Sequence, residues 1–254
     1  MRICIVSDVH YKFTGLKPED QPRQQMVLEF FRSLIGSYDL LVLNGDIFDL
    51  WSEGKHSLIK QYFPLLKILA DIREAGCKLI YISGNHDFWF GDFFRDYLGA
   101  EIYDKSYSLT TDGKRILISH GDLYTINDLR YKIFRFLIRS RPIRAIYSLM
   151  HPDLALSLGS KLSRTSSKRK LHKPGQRKRS EGLELYAGKL INRNKYDLVF
   201  MGHSHNPVFK TFGKGIYGNS GDWLKSFSYI KVIDGNPELC HYDSKENFKG
   251  EQDV

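Results

Sequence analysis

The chain has 254 residues, of which 42% are hydrophobic, and this proportion is enough for a substantial core and excludes a wholly disordered protein. Its three cysteines, Cys4, Cys77 and Cys240, are far apart and odd in number, which argues against a disulfide framework and against a thiolate zinc site. The formal net charge of +9 is unevenly distributed, because residues 129–193 contain 17 Lys and Arg and only three acids.

The N-terminal third alternates predicted strands and helices. Apolar runs predict strands at 2–6, 40–43 and 78–82, and apolar residues at helical spacing predict helices at 23–35 and 57–74. This alternation is typical of a parallel sheet. The first predicted strand begins almost at Met1, and no apolar run approaches membrane-spanning length. We therefore expect a cytoplasmic protein that is soluble or peripheral to a membrane.

The middle of the chain changes character after a predicted hairpin. A short helix at 92–98 precedes two alternating segments, 101–109 and 114–119, which predict the hairpin. Residues 129–158 have helical spacing and mix large apolar side chains with arginines. Residues 160–180 are polar and basic, which predicts a mobile loop.

A predicted helix at 181–192 and a predicted strand at 197–201 restore the earlier pattern, and shorter strands follow. We therefore expect a core formed by residues 1–122 and 181–243, with a basic, hydrophobic helical cap inserted at 123–180. The last residues, 244–254, are expected to be disordered.

Polar side chains follow five of the predicted strands at the points where these strands end. They are Asp8 and His10; Asp46 and Asp49; Asn85, His86 and Asp87; His120 and Asp122; and His203 and His205. Each junction taken singly is more often an ordinary turn or a hydrogen-bonded histidine. Five of the nine histidines lie in these junctions, however, and scattered structural histidines would not concentrate there. The sequence therefore predicts one site at the edge of the sheets.

The ligand types in these junctions indicate a metal site. Oxygen and imidazole ligands without thiolate suit manganese, iron, zinc or magnesium. A carboxylate can bridge two such cations at a separation of about 3.5–4 Å, and a pair of cations can polarise a phosphate and acidify a water molecule. The sequence contains no Gly-x-x-x-x-Gly-Lys loop that could bind phosphate instead. These residues therefore favour phosphoester hydrolysis.

The five junctions, in this order, resemble the five motifs of the calcineurin-like metallophosphoesterases. The matching segments are Asp8-x-His10, Gly45-Asp46-x-x-Asp49, Gly84-Asn85-His86-Asp87, His120-Gly121-Asp122 and Gly202-His203-x-His205. The resemblance implies an α/β fold in which two mixed sheets form a sandwich flanked by helices. It also implies two divalent ions. One would be held by Asp8, His10, Asp46 and His205, and the other by Asp46, Asn85, His120 and His203.

The same resemblance implies roles beyond metal binding. His86 would face the phosphate and stabilise its charge or protonate the leaving oxygen, and Asp49 would be its orienting carboxylate. Asn85 and His203 would also lie beside the substrate. The remaining acids of the motifs, Asp87 and Asp122, would support the loops or the ligands.

The cap resembles a narrower group, the UDP-2,3-diacylglucosamine diphosphatases of lipid A biosynthesis. The segment from His120 to Arg135 is similar to the stretch after the fourth motif in that family, and Thr165-Ser-Ser-Lys168 is similar to a later segment. The implied substrate contacts in the cap are Asp128, which would contact the glucosamine, and Tyr131, Arg135, Thr165 and Lys168. The resemblance implies manganese-dependent cleavage to UMP and 2,3-diacylglucosamine 1-phosphate at the anionic surface of the inner membrane.

Other readings of these features are open at this point. The amphipathic cap is about as well explained by packing onto the core as by binding acyl chains. The protein could instead be a metallophosphodiesterase that acts on another lipid-linked or nucleotide phosphoester, or on nucleic acid bound by the basic residues of the cap. These basic residues alternate with large aliphatic residues, however, a pattern that favours lipid. A metal-free scaffold is disfavoured because every ligand position of the five motifs is filled.

Overall fold

The computed structural model describes residues 1–54, 57–125, 129–140, 142–143 and 173–243, and its strands form two sheets. The strands of the first sheet are β1 (Arg2–Val6), β2 (Leu40–Asn44), β3 (Lys78–Ile82), β4 (Glu101–Tyr103), β10 (Ser228–Ile233) and β11 (Asn236–His241). Those of the second are β5 (Ser106–Thr111), β6 (Lys114–Ser119), β7 (Leu198–Met201), β8 (Val208–Phe212) and β9 (Gly215–Asn219). The α-helices are α1 (Asp20–Ser33), α2 (Phe63–Glu74), α3 (Phe93–Asp96), α4 (Leu129–Ile138) and α5 (Lys173–Asn192), and a 3₁₀ turn at Lys60–Tyr62 precedes α2.

Parallel pairing aligns the carboxyl ends of the strands that precede the five motifs. In the first sheet, with order β11-β10-β1-β2-β3-β4, the pairs among β1 to β4 are parallel and β10 is antiparallel to β1. In the second, with order β5-β6-β7-β9-β8, β7 is parallel to both β6 and β9. The loops after β1, β2 and β3 therefore leave one edge of the first sheet, and those after β6, β7 and β9 leave one edge of the second.

Three apolar clusters define the layers of the fold. The cluster between the sheets contains Ile5 of β1, Ile80 of β3 and Phe200 of β7, all fully buried. A second cluster packs α1 and α2 against the outer face of the first sheet. The third contains Leu183 of α5, which packs against the outer face of the second sheet. These layers confirm the predicted α/β sandwich with two mixed sheets and flanking helices.

Some element boundaries differ from the sequence prediction. The predicted helix at 57–74 begins as the 3₁₀ turn, and the predicted helix at 92–98 is reduced to the four residues of α3. Helix α5 begins at Lys173, so the last part of the predicted loop at 160–180 is helical. The cap segment 144–172 and the tail 244–254 lie outside the described residues. Among the described helices, none is both long and apolar enough to cross a membrane.

We predict that Ile5→Ala will destabilise the protein by about 2–5 kcal/mol, because Ile5 is fully buried between the two sheets and its loss leaves a cavity there. Ile35→Ala is the matched control, since Ile35 is 40% exposed, and we expect it to change stability by less than about 0.5 kcal/mol. Urea denaturation measures both values. Equal effects of the two substitutions would contradict the packing described above.

Candidate metal centre

The loops that follow β1, β2, β3, β6 and β7 carry the five motifs and are numbered first to fifth in chain order. Backbone hydrogen bonds hold the first loop against the second. The N–H groups of Asp8 and His10 donate to the carbonyl oxygens of Gly45 and Asp46, at 3.0 and 2.9 Å. A Cβ atom on Gly45 would lie only 2.6 Å from Nδ1 of the His120 ring. Glycine at this position therefore lets the fourth loop approach the second one closely.

The backbone at the centre adopts a conformation that is unusual for residues with side chains. Five motif residues have positive φ angles between 48° and 65°, namely Asp8, His10, Asp46, His203 and His205. Non-glycine residues seldom occupy this region, and they persist there only where surrounding contacts determine the backbone. The strain is concentrated in the residues whose side chains converge.

Asp8, His10 and His205 form the first group of converging side chains, with one potential ligand atom from each lying within 4.8 Å of the others. Oδ2 of Asp8 accepts hydrogen bonds from the Ser7 hydroxyl and from the His203 N–H. Its other oxygen, Oδ1, is buried without a hydrogen bond from the described residues and lies 3.3 Å from Nε2 of His205. A buried carboxylate oxygen of this kind fits a cation.

Asp46, His120 and His203 form the second group, again with ligand atoms within 4.8 Å. Oδ1 of Asp46 accepts the N–H groups of Asn85 and His86 at 2.7 and 2.9 Å. Oδ2 lies 3.6 Å from Nε2 of His120 and 3.8 Å from Nε2 of His10. This oxygen therefore faces both groups, which is the position required of a bridging ligand.

The tautomer of His120 is set by a backbone carbonyl. Nδ1 of His120 lies 2.9 Å from the carbonyl oxygen of Asn44, which can only accept, so Nδ1 carries the proton. Nε2 then faces Asp46 and lies 3.4 Å from the amide oxygen of Asn85. An imidazole fixed in this way presents a nitrogen lone pair to a cation when it is neutral.

The cluster carries a large buried negative charge. Burial lowers the pKa of His120, but the charge of Asp46 and its hydrogen bond outweigh burial. With the further charges of Asp8 and Asp122, the pKa of His120 is raised to about 10. Protons compensate the carboxylates in this way when no other cation does, and divalent cations would replace them.

Asp87 joins the second loop to the third. Its Oδ1 accepts the N–H groups of Asp46 and Gly84, both at 2.9 Å, and its Oδ2 accepts the N–H of Ile47 and the Tyr81 hydroxyl. Burial, and after it the charge of Asp46, raises the pKa of Asp87 to about 7. The carboxylate of Asp87 thus accepts hydrogen bonds from the backbone of both loops, and it supports the loop that presents Asp46.

Asp49 contacts two histidines in different ways. The predicted pairing was between the Asp49 carboxylate and His86. In the structure Nδ1 of His86 lies 3.0 Å from the backbone carbonyl oxygen of Asp49, which orients the ring. A carboxylate oxygen of Asp49 and one ring nitrogen each of His86 and His10 also lie within 4.8 Å of one another. The Asp49 carboxylate lies 4.0 Å from Nδ1 of His10. Nε2 of His86 lies 3.9 Å from Oδ2 of Asp46, the oxygen that faces both groups of converging side chains.

The predicted cap residues are only partly described. Arg135, which was expected to contact substrate, donates from Nε to Oδ2 of Asp122 at 2.6 Å, and both side chains are largely buried. Tyr131 lies in α4, and its side chain is outside the described residues. The other predicted contacts, Asp128, Thr165 and Lys168, also lie outside them. Arg135 therefore joins α4 to the fourth loop.

Two more contacts fix α4 and the residue after it to the third loop. Nη2 of Arg139 donates to the carbonyl oxygen of Gly84 at 2.5 Å, and its guanidinium lies 4.8 Å from the ring centroid of Phe88. The indole N–H of Trp89 donates to the carbonyl oxygen of Ile138 at 3.2 Å. The start of the cap is thus attached to the loop that carries Asn85.

The structure adds a residue that the sequence reasoning missed. Asp222 Oδ2 lies 3.5 Å from Nδ1 of His205, on the side of the ring opposite Asp8. Burial raises the pKa of Asp222, but the hydrogen bonds from His205 and from backbone N–H groups outweigh burial and lower it. The signal was present in Asn219-Ser220-Gly221-Asp222, which begins at the last residue of β9 and contains a glycine, as four of the five predicted junctions do.

Comparison with known proteins identifies the family. Residues 1–207 match the family model described as calcineurin-like phosphoesterase. The curated UDP-2,3-diacylglucosamine hydrolase of Haemophilus influenzae strain Rd is 24% identical over 92% of this chain and 95% of its own. That of Bordetella bronchiseptica is 29% identical over 81% of this chain and 78% of its own. A solved archaeal phosphodiesterase aligns over 94% of this chain and 99% of its own, at 16% identity and a TM-score of 0.47. The chain is an enzyme with candidate metal-binding groups at the ends of its strands, and it belongs to the calcineurin-like phosphoesterase family.

Proposed function

We propose that this enzyme cleaves the pyrophosphate bond of UDP-2,3-diacylglucosamine and releases UMP and 2,3-diacylglucosamine 1-phosphate, a step of lipid A biosynthesis. The observation that carries the proposal is the extent of the similarity. The Haemophilus relative, whose name states this substrate, aligns over more than nine-tenths of both chains. Similarity over that length includes the cap as well as the motifs. The Asp128 to Arg135 segment provides separate support from the sequence.

The metal ligands of the proposal follow the two converging groups. Asp8, His10 and His205 would hold one ion, and His120, His203 and Asn85 would hold the other. Asp46 would bridge them, because its Oδ2 lies within 4 Å of a histidine from each group. Two divalent ions supply, when bound, positive charge for the phosphate oxygens and a water molecule of lowered pKa. A set of oxygen and nitrogen donors without thiolate suits Mn²⁺, which we propose as the ion.

His86 would interact with the substrate phosphate. Because its Nδ1 donates to the carbonyl oxygen of Asp49, its Nε2 faces the cluster and carries a proton only in the imidazolium form. An imidazolium at that position would stabilise the charge that develops on the phosphate oxygens as the bond breaks. Asp49 would contribute by orienting His86 through its carbonyl and by facing His10 with its carboxylate.

Helix α4 would meet the lipid. Ile133, Phe136 and Leu137 lie on one side of the helix at i, i+3 and i+4, and they are 52, 77 and 52% exposed. Arg135 contacts the fourth loop instead. An exposed apolar face next to the metal centre suits acyl chains, and together with the basic residues of the cap it suits an anionic membrane surface. We therefore propose a cytoplasmic enzyme that is peripheral to the inner membrane.

The first test is UMP release from UDP-2,3-diacylglucosamine by the purified enzyme with Mn²⁺. We expect turnover by the wild type and a loss of more than about 100-fold in Asp46→Ala, since even residues that only orient metal ligands cost about 10–100-fold. Asp71→Asn on the surface of α2 is the control and should keep full activity. Absence of turnover by the wild type would overturn the substrate assignment. Full activity of Asp46→Ala would overturn the bridging role.

Asp222→Asn should weaken Mn²⁺ binding by about 10–100-fold, because the carboxylate beside Nδ1 of His205 fixes the ring and increases its basicity. Calorimetric titration of the metal-free protein measures this affinity directly. Asp71→Asn again serves as the control, as it removes an exposed carboxylate far from any proposed ligand. Unchanged affinity in Asp222→Asn would exclude an orienting role for this residue.

Phe136→Ser should raise the KM for the diacylated substrate by roughly 10-fold, since a phenyl ring that is buried by an acyl chain contributes about 1.5–3 kcal/mol when burial is complete. Turnover of a small soluble phosphodiester should not change, because Phe136 is 77% exposed and makes no part of the metal centre. Leu185→Ser on α5, where the side chain is 56% exposed, is the matched control. A similar rise in KM for both substrates would argue against lipid contact by α4.

A further inference from the structure

Arg23 is a buried cation beneath the first metal-ligand loop. It lies in α1, its relative exposure is 8%, and it forms an ion pair with Asp20, with Nη2 and Oδ1 at 3.5 Å. Arginine is seldom buried without several partners.

The guanidinium is directed at the backbone of the loop that carries Asp8 and His10. Its Nη1 donates to the carbonyl oxygen of Val9 at 3.0 Å, and its Nη2 donates to the carbonyl oxygen of His10 at 3.4 Å. The next residue of α1, Gln24, donates from its amide to the carbonyl oxygen of Lys12 at 2.9 Å. Helix α1 thus binds the outer side of this loop by its polar side chains.

The other backbone groups of the loop are bound from different directions. The N–H groups of Asp8 and His10 donate to the second loop, and the carbonyl oxygen of Asp8 accepts the N–H of Trp223 at 3.1 Å. Arg23 binds two further backbone groups of this loop, the carbonyl oxygens of Val9 and His10, from the side of α1. Since buried carbonyl groups need donors, the loop keeps its shape only while all three directions are supplied.

The backbone of the first loop is strained at the two residues whose side chains are proposed ligands. Asp8 and His10 both have positive φ angles, 53° and 48°. Such angles are maintained by surrounding contacts and are lost when these contacts are removed. A guanidinium is suited to this task because its two terminal nitrogens are held in a rigid plane and can bind two neighbouring carbonyls at once.

Nearby acids offset part of the effect that burial has on the pKa of Arg23. Burial lowers its pKa, and the charge of Asp20 opposes burial. The carboxylates of Asp49 and Asp222 oppose it as well, and the net result is a lowered pKa.

We propose that Arg23 is a positioning residue for the first metal site, which it serves by holding the Val9 and His10 carbonyls so that Asp8 and His10 point at the ion. The inference rests on the proposed roles of Asp8 and His10 as metal ligands. In this role Arg23 would contact neither the ion nor the substrate, because its guanidinium binds backbone carbonyl oxygens. It acts through the backbone that carries two of the ligands.

A residue that only anchors the loop would make the same contacts as a positioning residue. The two roles differ in the measured property that they change. An anchor contributes to the free energy of unfolding and leaves the metal affinity of the folded protein unaltered. A positioning residue changes that affinity at one of the two sites, because the ligands of that site lose their fixed directions. Metal affinity measured on folded protein therefore separates them.

The experiment compares wild type, Arg23→Gln and Arg23→Lys by calorimetric titration of the metal-free, full-length proteins with Mn²⁺, and the metal content of each is measured after dialysis. Far-UV circular dichroism and urea denaturation establish the folded fraction. We expect wild type to bind two ions, and Arg23→Gln to bind one of them at least about 10-fold more weakly. The affinity of Arg23→Lys should lie between these two values, since lysine keeps the charge but lacks the planar pair of terminal nitrogens that binds two carbonyls at once. Arg32→Gln is the matched control, because Arg32 is exposed on the same helix.

Each outcome decides a separate question. Wild-type affinity at both sites in folded Arg23→Gln would overturn the positioning role and would leave the proposed function intact. Failure of the wild type itself to bind two ions would overturn the proposed metal centre, and the inference with it. If Arg23→Gln does not fold, Arg23→Lys carries the test, and its equality with wild type in affinity would overturn the proposal.

Discussion

The buried carboxylate of Asp46 is the constraint on which the rest of the site depends. Its Oδ1 is bound by two N–H groups of the third loop, and its Oδ2 faces histidines of both groups. A carboxylate in this position is costly unless cations or protons surround it. Loops from both sheets therefore approach it closely, with Gly45 allowing the approach of His120 and Asp87 fixing the turn on which Asp46 lies.

The start of the cap is part of this arrangement and is not an independent attachment. Arg135 pairs with Asp122 beside the fourth motif, and Arg139 binds Gly84 in the third. Side chains at one side of α4 and at its end therefore contact the third and fourth loops. Apolar side chains such as Phe136 are exposed on the other side of the helix. Movement of this helix would therefore be felt at two of the loops that present proposed ligands.

Sequence patterns predicted the strands better than the ends of the helices. Strands β1, β2 and β3 are continuous apolar runs, and their bounds agree with the prediction to within one residue. Helix α5 was predicted to begin at residue 181 because the preceding residues are polar and basic. It begins at Lys173, and the signal was Pro174, which is favoured in the first turn of a helix. Lys, Arg and Gln are also good helix formers, so a polar composition alone did not indicate a loop.

The sequence by itself determined which chemical groups stand at the ends of the strands, because strand direction and turn glycines are encoded locally. The five junctions follow from these local patterns, and the resemblance that the junctions carry implied the sandwich and the family. The partners of those groups were decided only in the tertiary structure: the backbone of Asp49 orients His86, Asp222 lies behind His205, and Arg23 holds the loop of His10. Such contacts join residues that are tens to hundreds of positions apart or lie on different elements. They depend on how closely separate loops and helices pack, and no local pattern records that distance.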